Sequence, residues 1–111
     1  MKKFLGKLVK VVIDRPILSK HPNNNIIYEL NYGFVPNTMS PDGEEIDAYV
    51  VGVSKPISEV EGKVIAIIKR KNDIEDKLVV KPLSLERNFS REEIANLTNF
   101  QEKYFDIEII I

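Results

Sequence analysis

The chain has 111 residues, 43% hydrophobic and 30% charged, which suits one globular domain over residues 1–111. Sixteen basic residues against 17 acidic ones give a formal net charge of −1, without the basic excess that marks a nucleic-acid partner. There is no cysteine and one histidine, His21, which excludes disulfides, zinc–thiolate sites, iron–sulfur clusters and cysteine nucleophiles and leaves little room for a Ser-His-Asp triad. The opening Met1-Lys2-Lys3-Phe4-Leu5 starts like a signal peptide, but Lys7, Lys10 and Asp14 interrupt it. The longest apolar runs, such as Val64 to Ile68, are far too short to span a bilayer. A cytoplasmic location with no membrane partner is therefore expected.

Taken along the chain, Lys7 to Arg15 is β-branched and reads as a strand that Pro16 ends. His21 to Asn25 (H-P-N-N-N) is a turn cluster, and Ile26 to Leu30 a short strand candidate. Asn31 to Gly43 carries two glycines and two prolines and reads as a loop. Ile46 to Val53 is strand-like, Glu59 to Gly62 turns the chain, and Lys63 to Arg70 (K-V-I-A-I-I-K-R) is a buried strand. Asn72 to Asp76 is a polar turn, which pairs Lys77 to Lys81 with the preceding strand as a hairpin. Ser90-Arg91-Glu92-Glu93 is a capping box that opens the one clear helix, with Ile94, Leu97, Phe100 or Gln101, and Tyr104 at helical spacing. Asp106 to Ile111 is a last strand, apolar enough to pair with another chain, which leaves a homo-oligomer open. The predicted class is mainly β with one C-terminal helix (α+β), built as a small closed or partly open barrel of about five strands.

Two acidic segments carry the candidate chemistry. Asp42-Gly43-Glu44-Glu45-Ile46-Asp47 sets four carboxylates within six residues. Such crowding is costly unless a positive charge sits among them, and hard cations such as Mg²⁺ take oxygen ligands. Asp42 and Asp47 could bracket an ion, although D-G is also a common signal for a solvated turn. In the second segment, Asn72 to Lys77, an extended backbone points Glu75 and Lys77 to one face. A carboxylate beside a lysine suits a metal–phosphate site, and it suits a surface salt bridge equally. Tyr104 is open in the same way, as a core residue at helical spacing or as a ligand contact.

The stretch Tyr28-Glu29-Leu30-Asn31-Tyr32-Gly33-Phe34-Val35-Pro36-Asn37-Thr38, followed by Asp42 to Asp47, resembles the Y-P-x-N-Y-G-[YF]-[IV]-P-x-T segment and D-G-D-P-x-D loop of the soluble family I inorganic pyrophosphatases. The N-Y-G-F-x-P-N-T pattern has no general structural rationale of its own, so the match is specific. Val11 to Pro16 looks like that family's V-V-I-E-I-P strand, Asp73 to Lys77 like its second metal-binding turn, and Phe100 to Tyr104 like its F-F-E-x-Y segment. The resemblance implies a small five-stranded OB-like barrel that hydrolyses pyrophosphate to two phosphates by a metal-activated water, with Mg²⁺ as cofactor and Mn²⁺ as the alternative. It implies Asp42, Asp47, Asp73 and Glu75 as metal ligands, with Asp76 in place of Glu75 as the variant assignment and Asp14 near an outer ion. Tyr32, Lys77 and Tyr104 would contact phosphate, Lys77 without a part in folding, and Glu44 would polarise the attacking water.

Three departures from the family pattern are visible. D-G-D-P-x-D has become D-G-E-E-x-D, the lysine after the helix tyrosine is Phe105, and the hairpin bearing a phosphate-binding arginine is replaced by the His21 to Asn25 turn. Arg15, Lys20 and His21 are the nearby groups that could substitute. The other readings kept open are a hydrolase of a different phosphoanhydride and a catalytically weak module that binds metal and a phosphorylated ligand.

Overall fold

A computed structural model of the chain describes residues 1–73 and 75–111. The described strands are β1 (Leu8–Arg15), β2 (Asn31–Val35), β3 (Ile46–Val50), β4 (Glu59–Arg70), β5 (Asp76–Pro82) and β6 (Ile107–Ile110), with one α-helix, α1 (Arg91–Glu102), before β6. The sheet order is β1-β2-β3-β5-β4-β6, and β1 also pairs with β4, which closes the first five strands into a barrel. All neighbours run antiparallel except β3 and β5. β4 serves two partners along one edge: residues 59–63 pair with β1 and residues 67–70 with β6. Among the described residues no helix is long and apolar enough to cross a membrane.

Residues of all five barrel strands meet in one cluster, Val11, Val35, Ile46, Ala48, Val50, Val64, Ile67, Leu78 and Val80, which fills the barrel. A second cluster lies on the outer face beneath α1 and joins Tyr32, Tyr49, Ala66, Ile68 and Val79 to Ile94 and Phe100 of the helix. A register shift between Val64 and Ala66 puts both Ile65 and Ala66 on the helix side, so one strand feeds both cores. The helix starts as expected. The Ser90 hydroxyl accepts from the Glu93 N–H at 3.1 Å, and the Glu93 carboxylate accepts from the Ser90 N–H at 3.2 Å.

Three expectations are corrected. Asn31 to Val35 is a barrel strand and not part of a loop, and Glu59 to Gly62 belongs to β4 and is not a turn. The cause in both is a glycine that packs backbone against backbone. A Cβ on Gly33 would lie 1.8 Å from the Val12 carbonyl oxygen, and one on Gly62 would lie 2.4 Å from that of Lys81. Ile26 to Leu30 is not a strand beyond a single bridge from Ile27 to Lys20, which closes the His21 to Asn25 turn. The expected turn from Asn72 to Asp76 includes Ile74, which lies outside the described residues; Asp76 already belongs to β5.

The N-Y-G-F-x-P-N-T pattern also has a structural rationale after all. The fully buried Asn31 side chain accepts from the Ile17 N–H at 3.1 Å and donates to the Lys55 carbonyl at 2.9 Å, which ties two loops to β2. Asn37 turns the chain at φ +64°, a left-handed conformation that asparagine tolerates. The Thr38 hydroxyl donates to the Val35 carbonyl at 2.6 Å and accepts from the Ile46 N–H at 3.0 Å, which staples the acidic loop to both flanking strands.

Candidate active site

Strand register brings the central residues together. Phe34 stands opposite Asp47 across β2 and β3, and Ala48 opposite Leu78 across β3 and β5, so Tyr32, Asp47 and Lys77 share one outer face. The Tyr32 hydroxyl donates to Asp47 Oδ2 at 2.9 Å, and Lys77 Nζ donates to the same oxygen at 2.6 Å. Lys77 Nζ is also 3.3 Å from Glu75 Oε2, so the shared face read from alternation is borne out. Burial, with the Asp47 charge beside it, raises the Tyr32 pKa well above the ordinary phenol value and keeps the hydroxyl a donor. Lys77 is only 2% exposed. Its ammonium is thus part of the folded structure, contrary to the expectation that it has no part in folding.

These residues form one end of an open cleft of about 390 Å³. Asp14 and Arg15 from the end of β1, His21 from the following turn, and Tyr104 and Phe105 from beyond α1 supply other walls. Burial raises the Asp14 pKa, against the pull of the neighbouring Arg15. Tyr104 is 61% exposed, because α1 stops at Glu102 and the chain turns there. The core alternative for Tyr104 therefore fails, and its ring borders the cleft.

Beneath the cleft runs a buried polar network that the sequence reading missed. Arg70 Nε and Nη2 donate to the two carboxylate oxygens of Glu102 at 2.9 and 2.7 Å. The Tyr49 hydroxyl donates to Glu102 at 2.5 Å and accepts from Gln101 at 2.6 Å, and Gln101 accepts from Tyr28 at 2.9 Å. The Arg70 guanidinium lies 3.7 Å from the centroid of Phe105 and faces the cleft. One signal was available: period-two alternation from Ile68 puts Arg70 on the same face, the one α1 covers. Its partner Glu102 had none, because a charged residue in the last turn of a helix ordinarily faces water.

Of the nine residues singled out for the site, Asp14, Tyr32, Asp47, Glu75, Lys77 and Tyr104 line the cleft. Asp42, Glu44 and Asp73 are exposed and do not line it. Asp42 Oδ1 accepts from the Ser40 hydroxyl and from the Glu44 N–H, and Gly43 follows at φ +85°, so the loop closes as a tight turn. The Ser40 contact leads in lowering the Asp42 pKa. Asp42 also shares a side-chain hydrogen bond with Glu75, whose pKa is raised by burial first, against the pull of Lys77, and by that contact. Asp73 stands 3.7 Å from Arg70 Nη1.

Among the described residues no three such carboxylates are gathered as a ready-made ion cage; the Lys77 ammonium stands between Asp47 and Glu75 instead. The donor set nevertheless suits Mg²⁺ in kind. All its atoms are hard oxygens, and two carboxylates close enough to share a hydrogen bond repel unless a proton or a cation lies between them.

The family model for inorganic pyrophosphatase matches residues 7–108, and the chain belongs to that family of hydrolases. Solved structures with a similar fold include an inorganic pyrophosphatase from Neisseria gonorrhoeae, at 22% identity over 89% of this chain and 74% of that one, with a TM-score of 0.69. Those from Ehrlichia chaffeensis (18% identity, 94% and 85% covered, TM-score 0.68) and Helicobacter pylori (19% identity, 93% and 82% covered, TM-score 0.66) share it as well. At such identities the likeness establishes the barrel and its C-terminal helix. No protein with a curated description matches the chain.

Proposed function

We propose that the chain hydrolyses inorganic pyrophosphate to two phosphates in this cleft, with Mg²⁺, or Mn²⁺ in its place, as cofactor. Asp42, Asp47, Asp73 and Glu75 would hold the cation, and Asp14 would lie toward an outer one. When bound, such a cation neutralises phosphate charge and makes a bound water more acidic. The observation that carries the reading is the buried Lys77 ammonium flanked by Asp47 and Glu75 at the cleft's end. A folded chain keeps a lysine desolvated among carboxylates at a cost, and a polyanionic substrate that needs both cation types is a physical reason to bear it. Lys77 neutralises a phosphate oxygen, Tyr32 turns the single proton of its un-ionised hydroxyl from Asp47 to phosphate, and Tyr104 contacts phosphate from the exposed rim. Glu44, on the loop that Thr38 staples, takes the proton of the attacking water.

Phosphate release from pyrophosphate, measured with and without Mg²⁺, tests the reading. Turnover that needs the cation supports it. Asp47→Asn should weaken Mg²⁺ binding at least tenfold by calorimetry, about 1.4 kcal/mol. Wild type that releases phosphate from a different phosphoanhydride, and not from pyrophosphate, replaces the substrate and keeps the chemistry. Metal binding with no release from any of them makes the chain a binding module. The proposed location is the cytoplasm, with the chain acting alone or as a homo-oligomer.

A further inference from the structure

We propose that Arg70 is a substrate-binding residue of this cleft, a phosphate clamp supplied by β4 and set in place by Glu102 and Phe105. The inference rests on the reading of the cleft as a phosphate site. The sequence lacks the arginine-bearing hairpin that its motifs would lead one to expect, and it carries Phe105 where a cation would follow the helix tyrosine. Pyrophosphate still requires cations there, and the cleft's other two are engaged close at hand. Lys77 bonds to Asp47 and approaches Glu75, and Arg15 Nη1 donates to the Asp14 carbonyl at 3.1 Å.

Arg70 is held differently. Glu102 takes Nε and Nη2, one side of the planar fork, and Phe105 supports its face at 3.7 Å. The guanidinium is thereby fixed in orientation with its Nη1 side toward Asp73 and Glu75, 3.7 and 3.9 Å away at ion-pair distance but beyond direct hydrogen bonding. Burial works against its charge, but the hydrogen bonds and charge of Glu102 prevail and raise its pKa. A pre-oriented guanidinium loses little entropy on gripping phosphate, and its planar fork matches two phosphate oxygens. Glu102 bonds to Arg70 and does not touch substrate in this scheme. It is a positioning residue, braced in turn by Tyr49.

The test uses imidodiphosphate, a pyrophosphate analogue with a nitrogen bridge, as a binding probe by calorimetry, beside phosphate release from pyrophosphate. Arg70→Met combined with Glu102→Gln removes both halves of the buried pair; Asp73 and Glu75 lose approaches of 3.7 and 3.9 Å, but both side chains are part-exposed and water takes up their charge. The double variant, checked by thermal melting, should bind imidodiphosphate at least tenfold more weakly and show a KM raised by a similar factor. A folded double variant with wild-type affinity and KM overturns the assignment. If that variant does not fold, the guanidinium Nε–H resonance of Arg70 in wild-type protein decides. A shift on titration with inorganic phosphate supports the clamp, and a resonance unmoved at saturation overturns it. Wild type that hydrolyses pyrophosphate while its Arg70 resonance stays unmoved at saturation refutes the clamp alone. Wild type that binds imidodiphosphate through Arg70 yet releases no phosphate refutes hydrolysis alone.

Discussion

Replacing Lys77 by methionine separates the two roles that its position combines. The side chain is 3% exposed, and methionine fills most of the same space while deleting the ammonium. Asp47 and Glu75 are then left close together with no cation between them. Breaking a fully buried pair by removing one partner costs about 3–5 kcal/mol. Here both carboxylates keep 29% of their side-chain surface exposed, so water recovers part of that loss. About 2 kcal/mol is the expected cost, equivalent to about 8 °C of melting temperature for a domain of this size. Mg²⁺ should reverse the order of effects. On the proposed assignment of Asp47 as a ligand, the ion has to displace the lysine in wild type, whereas in Lys77→Met the carboxylates are already free of it. Thermal melts with and without Mg²⁺ should show a lower apo melting point for the variant and a larger Mg²⁺-induced rise. A variant that melts within about 2 °C of wild type without Mg²⁺, or an equal rise in both proteins, would refute this account of the lysine.

Gly33→Ala should be among the most damaging small substitutions, because the added carbon meets the Val12 carbonyl at 1.8 Å and β1 must part from β2. A loss of about 3 kcal/mol or more is expected, read from the urea midpoint, and an unchanged midpoint contradicts the packing argument. Glu44→Gln should cut pyrophosphate turnover by about two orders of magnitude with Mg²⁺ affinity kept, and undiminished turnover transfers the proton-accepting role to a carboxylate that lines the cleft. Glu93 supplies a pH dependence. Its pKa is lowered below 4.5, first by the Ser90 N–H, which outweighs desolvation, and further by Arg87. A depressed acid stabilises the fold above its unfolded pKa, so Glu93→Gln should melt lower than wild type at neutral pH. That difference should shrink as pH falls below 4.5 and through the folded value, and a gap that widens in acid reverses the sign of the argument.

The helix start was legible because a capping box is purely local: Ser90 and Glu93 satisfy each other's backbone within four residues. The apolar strands that became β1, β3, β4 and β5 were legible because burial imposes its composition over a short run. The motif segments that carry the family resemblance were legible for a related reason, since Tyr32, Asp47, Glu75 and Lys77 stand at fixed offsets from glycines and prolines that one can count.

What the chain order could not convey was contact between distant segments. Gly33 and Gly62 look like turn residues until Val12 and Lys81 arrive at the place where a Cβ would be. Thr38 and Asn31 look like loop polarity until Ile46 and Lys55 supply their partners. Arg70 and Glu102 lie 32 residues apart, and only the packing of α1 across β4 makes them a buried pair at the floor of the cleft. Charge, the helix start and the apolar strand runs could be read along the chain because they depend on near neighbours, whereas the strands through Gly33 and Gly62 could not, because they depend on Val12 and Lys81. The tertiary structure decided which charges face one another, and that Lys77 stands among the carboxylates, because Coulomb energy and desolvation depend on distances in space.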